Sequence, residues 1–565
     1  MSVIEAPERL PLGESLPPGD LHAVSVALPK WADTAGWASR EPRVIKAMTV
    51  GYPRFMIARI IESLASRLLE EWESKTGISA AGRRAMILCS YRHAAMCREF
   101  LHRQTPPAFH SDKIIVFSVS WNGLLAPIDQ DPQLNGNTER SSGQEDIFVV
   151  SYPEELYLEA KAFWQHTGFG VSSRRVTHWA EHGPFPIGPA TKDSAGHVTR
   201  FDAEAGSVSR AVGTAKDDIR KLIAANQLAS GNISVHEDDV LLYPCGMAGI
   251  TEVCAAVQVL RGADRMTPCA AVVFGFLYVD TYKVVTRVLG YDATLYKFDD
   301  SEIDILEARL RSGARLDLLL TEFPGNPLLQ SPNLDRLSTL SRKYNFVLVV
   351  DDTIGSCANV NVLSACDVVC TSLTKMFSGT SNVMGGSVVL SPNSPFHHAL
   401  RHTLLANYGD NKWFPDDVLL MESNSRNFVS RTRQASANAS AVAKQLRAHP
   451  SVTEVYYPEG SPSQRIYENY KLPDGGYGFM LSIRFTSAEK AIAFHDALDV
   501  AKGPSLGTNF TLACPYTLLA HFKELEWAAE YGVVEDLVRI SVGLEDEKWL
   551  ETRIERALQA AGEQQ

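Results

Sequence analysis

The sequence predicts an α/β fold: a mainly parallel central sheet flanked by helices, a smaller C-terminal α/β domain and an N-terminal extension. Three observations carry that expectation. Near-continuous β-branched runs at Val240 to Tyr243, Ala270 to Phe276, Leu316 to Leu320, Phe346 to Val350 and Val368 to Cys370 alternate with helical patterns, the form taken by strands buried on both faces. After Pro392 the helical patterns lengthen, and a strand-like run from Gly478 to Phe485 leads toward a final helix over Lys548 to Ala561. The length of 565 residues, at about 150 residues per domain, is enough for about three or four domains.

Taken in order, Met1 to about Pro42 is Pro-rich and weakly periodic, so it is expected to cover another surface or to fray. From Phe55 to Glu73, Ile57, Ile60, Ile61, Leu64, Leu68 and Leu69 recur at helical spacing with charges between them, which predicts an amphipathic helix. Asn135 to Glu145 is polar and reads as an exposed loop before the apolar stretch Ile147 to Tyr152. The expected division is an N-terminal extension region over 1–195, a large ligand-binding domain over 196–393 and a small domain over 394–565.

Composition narrows the function. With 45% hydrophobic and 21% charged residues the chain is an ordinary globular one. Its 54 basic and 66 acidic residues leave a net charge of −12, which disfavours attraction to nucleic acid. Nine cysteines without a CxxC pair, most inside apolar runs, suit buried thiols in a reducing compartment. Met1 to Asp20 has neither an apolar signal core nor transit-peptide character, and no apolar run approaches the ~18 residues of a membrane span. A cytoplasmic protein without membrane or nucleic-acid partners is expected.

Among the motifs, His178-Trp179-Ala180-Glu181-His182 fits the H-x-x-E-H pattern of inverted zinc peptidases. No downstream glutamate ligand is identifiable, fifteen histidines make the match easy by chance, and no metal is expected. Gly168-Phe169-Gly170 lacks the third glycine of a dinucleotide fingerprint, and there is neither a phosphate-binding GxxxxGK[ST] loop nor a G-x-S-x-G elbow.

Val349 to Gly386 holds more chemistry. One apolar strand ends in Asp351-Asp352-Thr353 and another in Thr371-Ser372-Leu373-Thr374-Lys375. Side by side at the carboxyl edge of a parallel sheet, where ligands gather, they would set an acid, a lysine and two hydroxyls around one ligand. That inventory suits pyridoxal phosphate (PLP), with the lysine as Schiff-base former, a carboxylate on the pyridine nitrogen and hydroxyls on the phosphate. A solvated loop lysine is the other reading of the same residues.

A resemblance decides between them. The passages GYPRFMIARI, AFWQHTGFGVSSRR, LLYPCGMAGI, TEFPGNPLL, VVDDTIG, TSLTKMFSGTSNVMGG, KGPSLGTNFTLACPY and LVRISVGLED resemble the γ-class of PLP enzymes of cysteine and methionine metabolism, in wording the fungal cystathionine γ-synthases, across residues 51 to 545. It implies PLP fold type I and homodimers or homotetramers with active sites between subunits. It also implies that Lys375 is the Schiff-base lysine and shuttles protons between Cα and Cγ, and that Asp351 pairs with the pyridinium. By the same resemblance Ser372 and Thr374, with the turn at Gly246 and Met247, bind the phosphate; Tyr278 stacks on the ring; Asn326 lies near the phenolic oxygen. Arg539 would grip the substrate α-carboxylate with Ser505 assisting, and a buried arginine in a strand-like run is costly without an anionic partner.

In one place the sequence departs from the family. Where homologues carry a Tyr-x-Arg pair that reaches a neighbouring subunit's phosphate, the best counterpart is Phe201-Asp202-Ala203, with Arg200 and Arg210 as nearby substitutes. The expected activity is γ-replacement on an O-acyl-L-homoserine through a vinylglycine-type intermediate, with a thiol such as cysteine as nucleophile. The alternatives are a carbon nucleophile such as a β-keto acid or ester enolate in secondary metabolism, a γ-lyase, and a catalytically degenerate binding protein.

Overall fold

The computed structural model describes residues 10–50, 52, 55–105, 113–128, 146–185, 205–229, 233–262, 267–407 and 412–564, so Asn135 to Glu145 and Arg200 to Ala203 lie outside the described residues. The chain forms two compact units. One comprises Met1–Tyr52, Phe201–Tyr408 and Val418–Gln565, the other Pro53–Arg200 and Gly409–Asp417.

The first unit is built on a seven-stranded sheet of β1 (Val240–Tyr243), β2 (Ala270–Phe274), β3 (Asp292–Tyr296), β4 (Leu318–Glu322), β5 (Val347–Asp351), β6 (Val368–Thr371) and β7 (Gly386–Leu390), in the order β3-β2-β4-β5-β6-β7-β1. The five strands from β3 to β6 are parallel, and Leu318, Leu319, Val347, Leu348, Val350, Val368 and Val369 are wholly buried. These are the apolar runs expected from the sequence. β7 is antiparallel to both β6 and β1, so the carboxyl end of β1 meets the same sheet edge as the carboxyl ends of β2, β4, β5 and β6. β1 leads through Cys245 into helix α1 (Gly246–Leu260).

A second sheet in this unit has the strands β8 (Val452–Tyr456), β9 (Met480–Phe485), β10 (Ala501–Lys502), β11 (Leu512–Pro515) and β12 (Val538–Ser541), in the order β8-β9-β12-β11-β10. Leu481, Ile483 and Ile540 pack with Val442 and Leu446 of helix α2 (Phe428–Arg447) and with Leu550 and Ile554 of the final helix, Glu547–Gly562.

The N-terminal segment is packed. Val24 N–H donates to Ser381 O at 2.8 Å, Leu28 N–H to Lys502 O at 2.9 Å and Trp31 N–H to Asp496 Oδ1 at 2.8 Å. Trp31 opens the helix Trp31–Ala38 and joins the C-terminal core, its ring edge-on to the buried His495 at 5.7 Å. Covering another surface, the first of the two expectations, is what these residues do.

The second unit has an antiparallel sheet in the order Arg83–Leu88, Ile147–Pro153, Ile115–Val119, Leu125–Pro127. The expected amphipathic helix is Arg59–Thr76, ending at Gly77 in the left-handed region, and its Trp72 stacks on Phe117 at 4.4 Å. In the H-x-x-E-H segment, His178 stacks on Trp121 at 5.2 Å and Trp179 is buried edge-on to that same ring. Among the described residues no group of three or more His, Cys, Asp or Glu side chains is arranged to hold a metal ion, and no helix is long and apolar enough to cross a membrane.

Truncating Trp31 removes a large side chain from the C-terminal core. Trp31→Ala is expected to lower the stability of this unit by about 3 kcal/mol, read as a shift in the urea midpoint.

Candidate active site

Five strand ends supply the site. Lys375 follows β6 by four residues; it is buried at 8% exposure, and its Nζ donates to Tyr52 Oη at 2.7 Å. Its loop is fixed by close packing: at Gly507, where φ is +65°, a Cβ would stand 2.8 Å from Lys375 Cβ and 2.6 Å from Met376 N. The loop is also held by Arg431 of α2. That buried guanidinium donates to Met376 O at 3.0 Å, Phe377 O at 2.7 Å, Asn424 O at 3.0 Å, Asn509 Oδ1 at 2.8 Å and Asn427 Oδ1 at 2.7 Å. Burial lowers its pKa to about 10.

Asp351 is the last residue of β5, and its Oδ1 accepts the N–H of Thr353 at 2.9 Å. Thr353 Oγ1 in turn accepts the N–H of Ser372 at 2.8 Å, which joins the β5 and β6 ends. Across the ladder Asp351 is paired with Glu322, the last residue of β4. Burial raises both carboxyls, and Glu322 is raised further by the charge of Asp351. Glu322 Oε1 accepts Tyr278 N–H at 2.6 Å and Oε2 accepts Asn326 N–H at 2.8 Å. One carboxyl thus sets the backbones of two predicted ring-contacting residues.

At the end of β1, Gly246 opens α1, whose first backbone N–H groups have no partner within the helix. A Cβ at Gly246 would lie 2.9 Å from Ser372 Cβ, so only glycine lets the helix terminus approach Ser372 this closely. Met247 follows in the same turn and is buried. The Thr374 hydroxyl is engaged with Gly385, accepting its N–H at 3.1 Å.

The remaining predicted residues meet from β12 and the loop before β11. Arg539 is 4% exposed; its Nη1 donates to Asn326 Oδ1 at 3.2 Å, and its Nη2 donates to Ser505 O at 3.2 Å and Pro504 O at 3.3 Å. It lies 4.8 Å from the ring centroid of Tyr516, whose phenol Asn326 Nδ2 approaches at 3.4 Å. Among the described residues no carboxylate is within ion-pair distance of Arg539, and the buried Ser505 hydroxyl has no hydrogen-bond partner. Phe201, Asp202, Ala203 and Arg200 lie outside the described residues, while Arg210 is exposed on the helix Ala205–Ala225.

Tyr52, Glu322, Arg431 and Tyr516 were not among the expected site residues. Tyr52, Glu322 and Tyr516 lie inside quoted passages, and Glu322 ends an apolar strand; such a position is a usable signal. Arg431 sits in a polar helix pattern that looks like a solvated face, and nothing local marks it.

A family model described as Cys/Met metabolism PLP-dependent enzyme matches residues 227–559, more than half of the chain. The chain belongs to that family. A second model, Fungal trans-sulfuration enzyme, N-terminal domain, matches residues 60–172. Cystathionine gamma-synthase of Neurospora crassa is 37% identical, over 98% of this chain and 99% of that one. Cystathionine gamma-synthase-like enzyme iboG2 of Amanita muscaria is also 37% identical, over 100% of this chain and 98% of that one. The crystal structure of cystathionine gamma synthase from Xanthomonas oryzae pv. oryzae in complex with cystathionine shares the fold, with a TM-score of 0.53 and 24% identity over 62% of this chain and 87% of that chain.

The family's cofactor is pyridoxal 5'-phosphate, and the donor set fits it. A helix N-terminus packed on a serine offers a phosphate cradle, a strand-end carboxyl suits a pyridinium, and a buried lysine stands on the adjoining strand end.

Two predictions follow from these carboxyls. Glu322→Gln places an amide N–H against a backbone N–H, and is expected to cost about 2 kcal/mol in urea unfolding and to speed cofactor loss on dialysis. Asp352, wholly buried beside Asp351 with Thr371 Oγ1 bonded to it, is pushed up to about 7 by burial. The folded chain therefore keeps this proton to a higher pH than the unfolded chain does, and stability falls as pH rises from about 4 to about 7, then levels off. Asp352→Asn removes that slope: relative to the parent, its urea stability is expected to improve by up to about 4 kcal/mol between pH 4 and pH 8.

Proposed function

We propose that the protein replaces the γ-acyloxy group of an O-acyl-L-homoserine with a thiol nucleophile such as cysteine, as a cystathionine γ-synthase-like transferase. The observation that carries this reading is Arg539. A guanidinium 4% exposed, bonded to an amide oxygen and two backbone carbonyls and to no carboxylate among the described residues, is an expensive group to bury without an anionic ligand. The α-carboxylate of an amino acid supplies that anion in a geometry that suits the guanidinium fork. The unpartnered Ser505 hydroxyl gives it a further donor.

Each residue then has a separable task. Bound PLP supplies an electron-withdrawing ring conjugated to the substrate's α-carbon. Asp351 keeps the ring nitrogen protonated, and Tyr278, positioned through Glu322, covers the ring. Asn326 is bonded to Arg539 and would hold the cofactor's phenolic oxygen beside the carboxylate site. Lys375 would take a proton from Cα and carry it toward Cγ to the departing carboxylate, and the proton released by the adding thiol would restore the one lost from Cα.

A second reading takes a carbon nucleophile such as a β-keto acid or ester enolate; a relative as similar as the Neurospora synthase, at 37% identity to each, is named only cystathionine gamma-synthase-like.

Incubation with O-acetyl- and O-succinyl-L-homoserine against cysteine, sulfide, methanethiol and acetoacetate-type nucleophiles, with products identified by mass, distinguishes the two. Cystathionine from cysteine is the expected product, lowered at least a thousandfold in Lys375→Ala, on the order of what loss of the central catalytic group costs. Turnover no faster than that control for every pair sinks the γ-replacement reading, and α-keto acid with ammonia released without a nucleophile assigns a lyase instead.

A further inference from the structure

Lys375 is unusual among the buried charges of this unit. Its Nζ is 2.7 Å from Tyr52 Oη and 4.7 Å from the centroid of the Tyr52 ring. Among the described residues no other side chain bonds Nζ, and no carboxylate lies within ion-pair distance of it. An ammonium at 8% exposure is thus compensated by one phenol, through its oxygen and through the face of its ring.

Tyr52 is 323 residues away in the chain and reaches the lysine from the N-terminal segment. The segment is anchored just before it. Thr49 donates to Gly13 O through both its N–H, at 3.0 Å, and its Oγ1, at 2.7 Å, and Gly13 N–H is bonded to Ala27 O at 2.9 Å. Met48 and Val50 are buried, and Tyr52 itself is 7% exposed. The phenol is therefore delivered by packed backbone, through a segment also tied at Val24 to Ser381, six residues beyond the lysine.

We propose that Tyr52 is a positioning residue for Lys375: it holds Nζ at one place in the site. The proposal rests on the reading of Lys375 as the cofactor lysine. A lysine that carries a proton between two substrate carbons has a four-carbon stem and large rotamer freedom, and must not swing away when it is not bonded to the cofactor. The Tyr52 phenol restricts that freedom.

The test compares parent, Tyr52→Phe and Tyr52→Leu by the rate at which the visible absorption band returns when PLP is added back to the dialysed chain, with melting temperature and steady-state kinetics of the loaded enzyme in parallel. In Tyr52→Phe the band is expected to return about tenfold more slowly, because Nζ is no longer held in place. kcat is expected to fall about tenfold with KM within about threefold. Tyr52→Leu, which also loses the ring face, is expected to lower both rates further.

A band-return rate and a kcat both within about twofold of the parent in both variants overturn the proposal, as does a Tyr52→Phe chain that melts like the parent but no longer holds the cofactor. Failure of both variants to fold also counts against it, since Tyr52 would then be a core residue only. A visible band that survives Lys375→Ala overturns instead the reading of Lys375 on which the proposal stands.

Discussion

The loop bearing Lys375 is clamped by the buried guanidinium of Arg431. Strand β6 ends at Thr371, and between Ser372 and Ser378 no sheet ladder holds the backbone. Met376 and Phe377 turn their carbonyls to Arg431, which also binds Asn424, Asn427 and Asn509. A charge buried without a carboxylate can only be kept if every donor is used, and here that requirement fixes the distance between α2, the lysine loop and the segment before β11. Gly507 lets the last of these lie directly against the Lys375 backbone.

Around that clamp, polar groups at the sheet edge are joined in pairs across different strands. Glu322 unites the β2 and β4 ends by binding the backbones of Tyr278 and Asn326. Thr353 unites β5 with β6, and Asn326 carries the linkage on to Arg539 in the second sheet. The site is a network in which few side chains meet only their own element, so changes at one member are expected to couple to others.

Much of this was legible in the sequence. The central strands announce themselves because Leu318, Val347 and Val368 with their neighbours are buried on both faces and leave uninterrupted apolar runs. Strand Asp292–Tyr296 was not legible, because it lies at the sheet edge and its residues are mostly only partly covered. At the site, Lys375, Asp351 and Arg539 stand out as charges at the ends of, or inside, apolar strands, and the family resemblance assigned them roles. Arg431 stays hidden for a physical reason: its contacts reach across 55 residues and its local text is that of a polar helix. Tyr52 lies in the quoted passage GYPRFMIARI, but its partner 323 residues away is not written there.

The long interval between Tyr52 and Lys375 has a consequence for synthesis. The strap of residues 10–52 leaves the ribosome before its partners Ser381, Asp496 and Lys502 exist. At about 5–20 residues per second, Tyr52 waits roughly 16–65 s for the lysine it will hold. Pro53–Arg200, with its own sheet and core, is translated meanwhile. Apolar residues such as Leu16, Val24, Val26 and Trp31 remain uncovered for that interval, so the newborn chain carries an adhesive N-terminal end until its last third arrives.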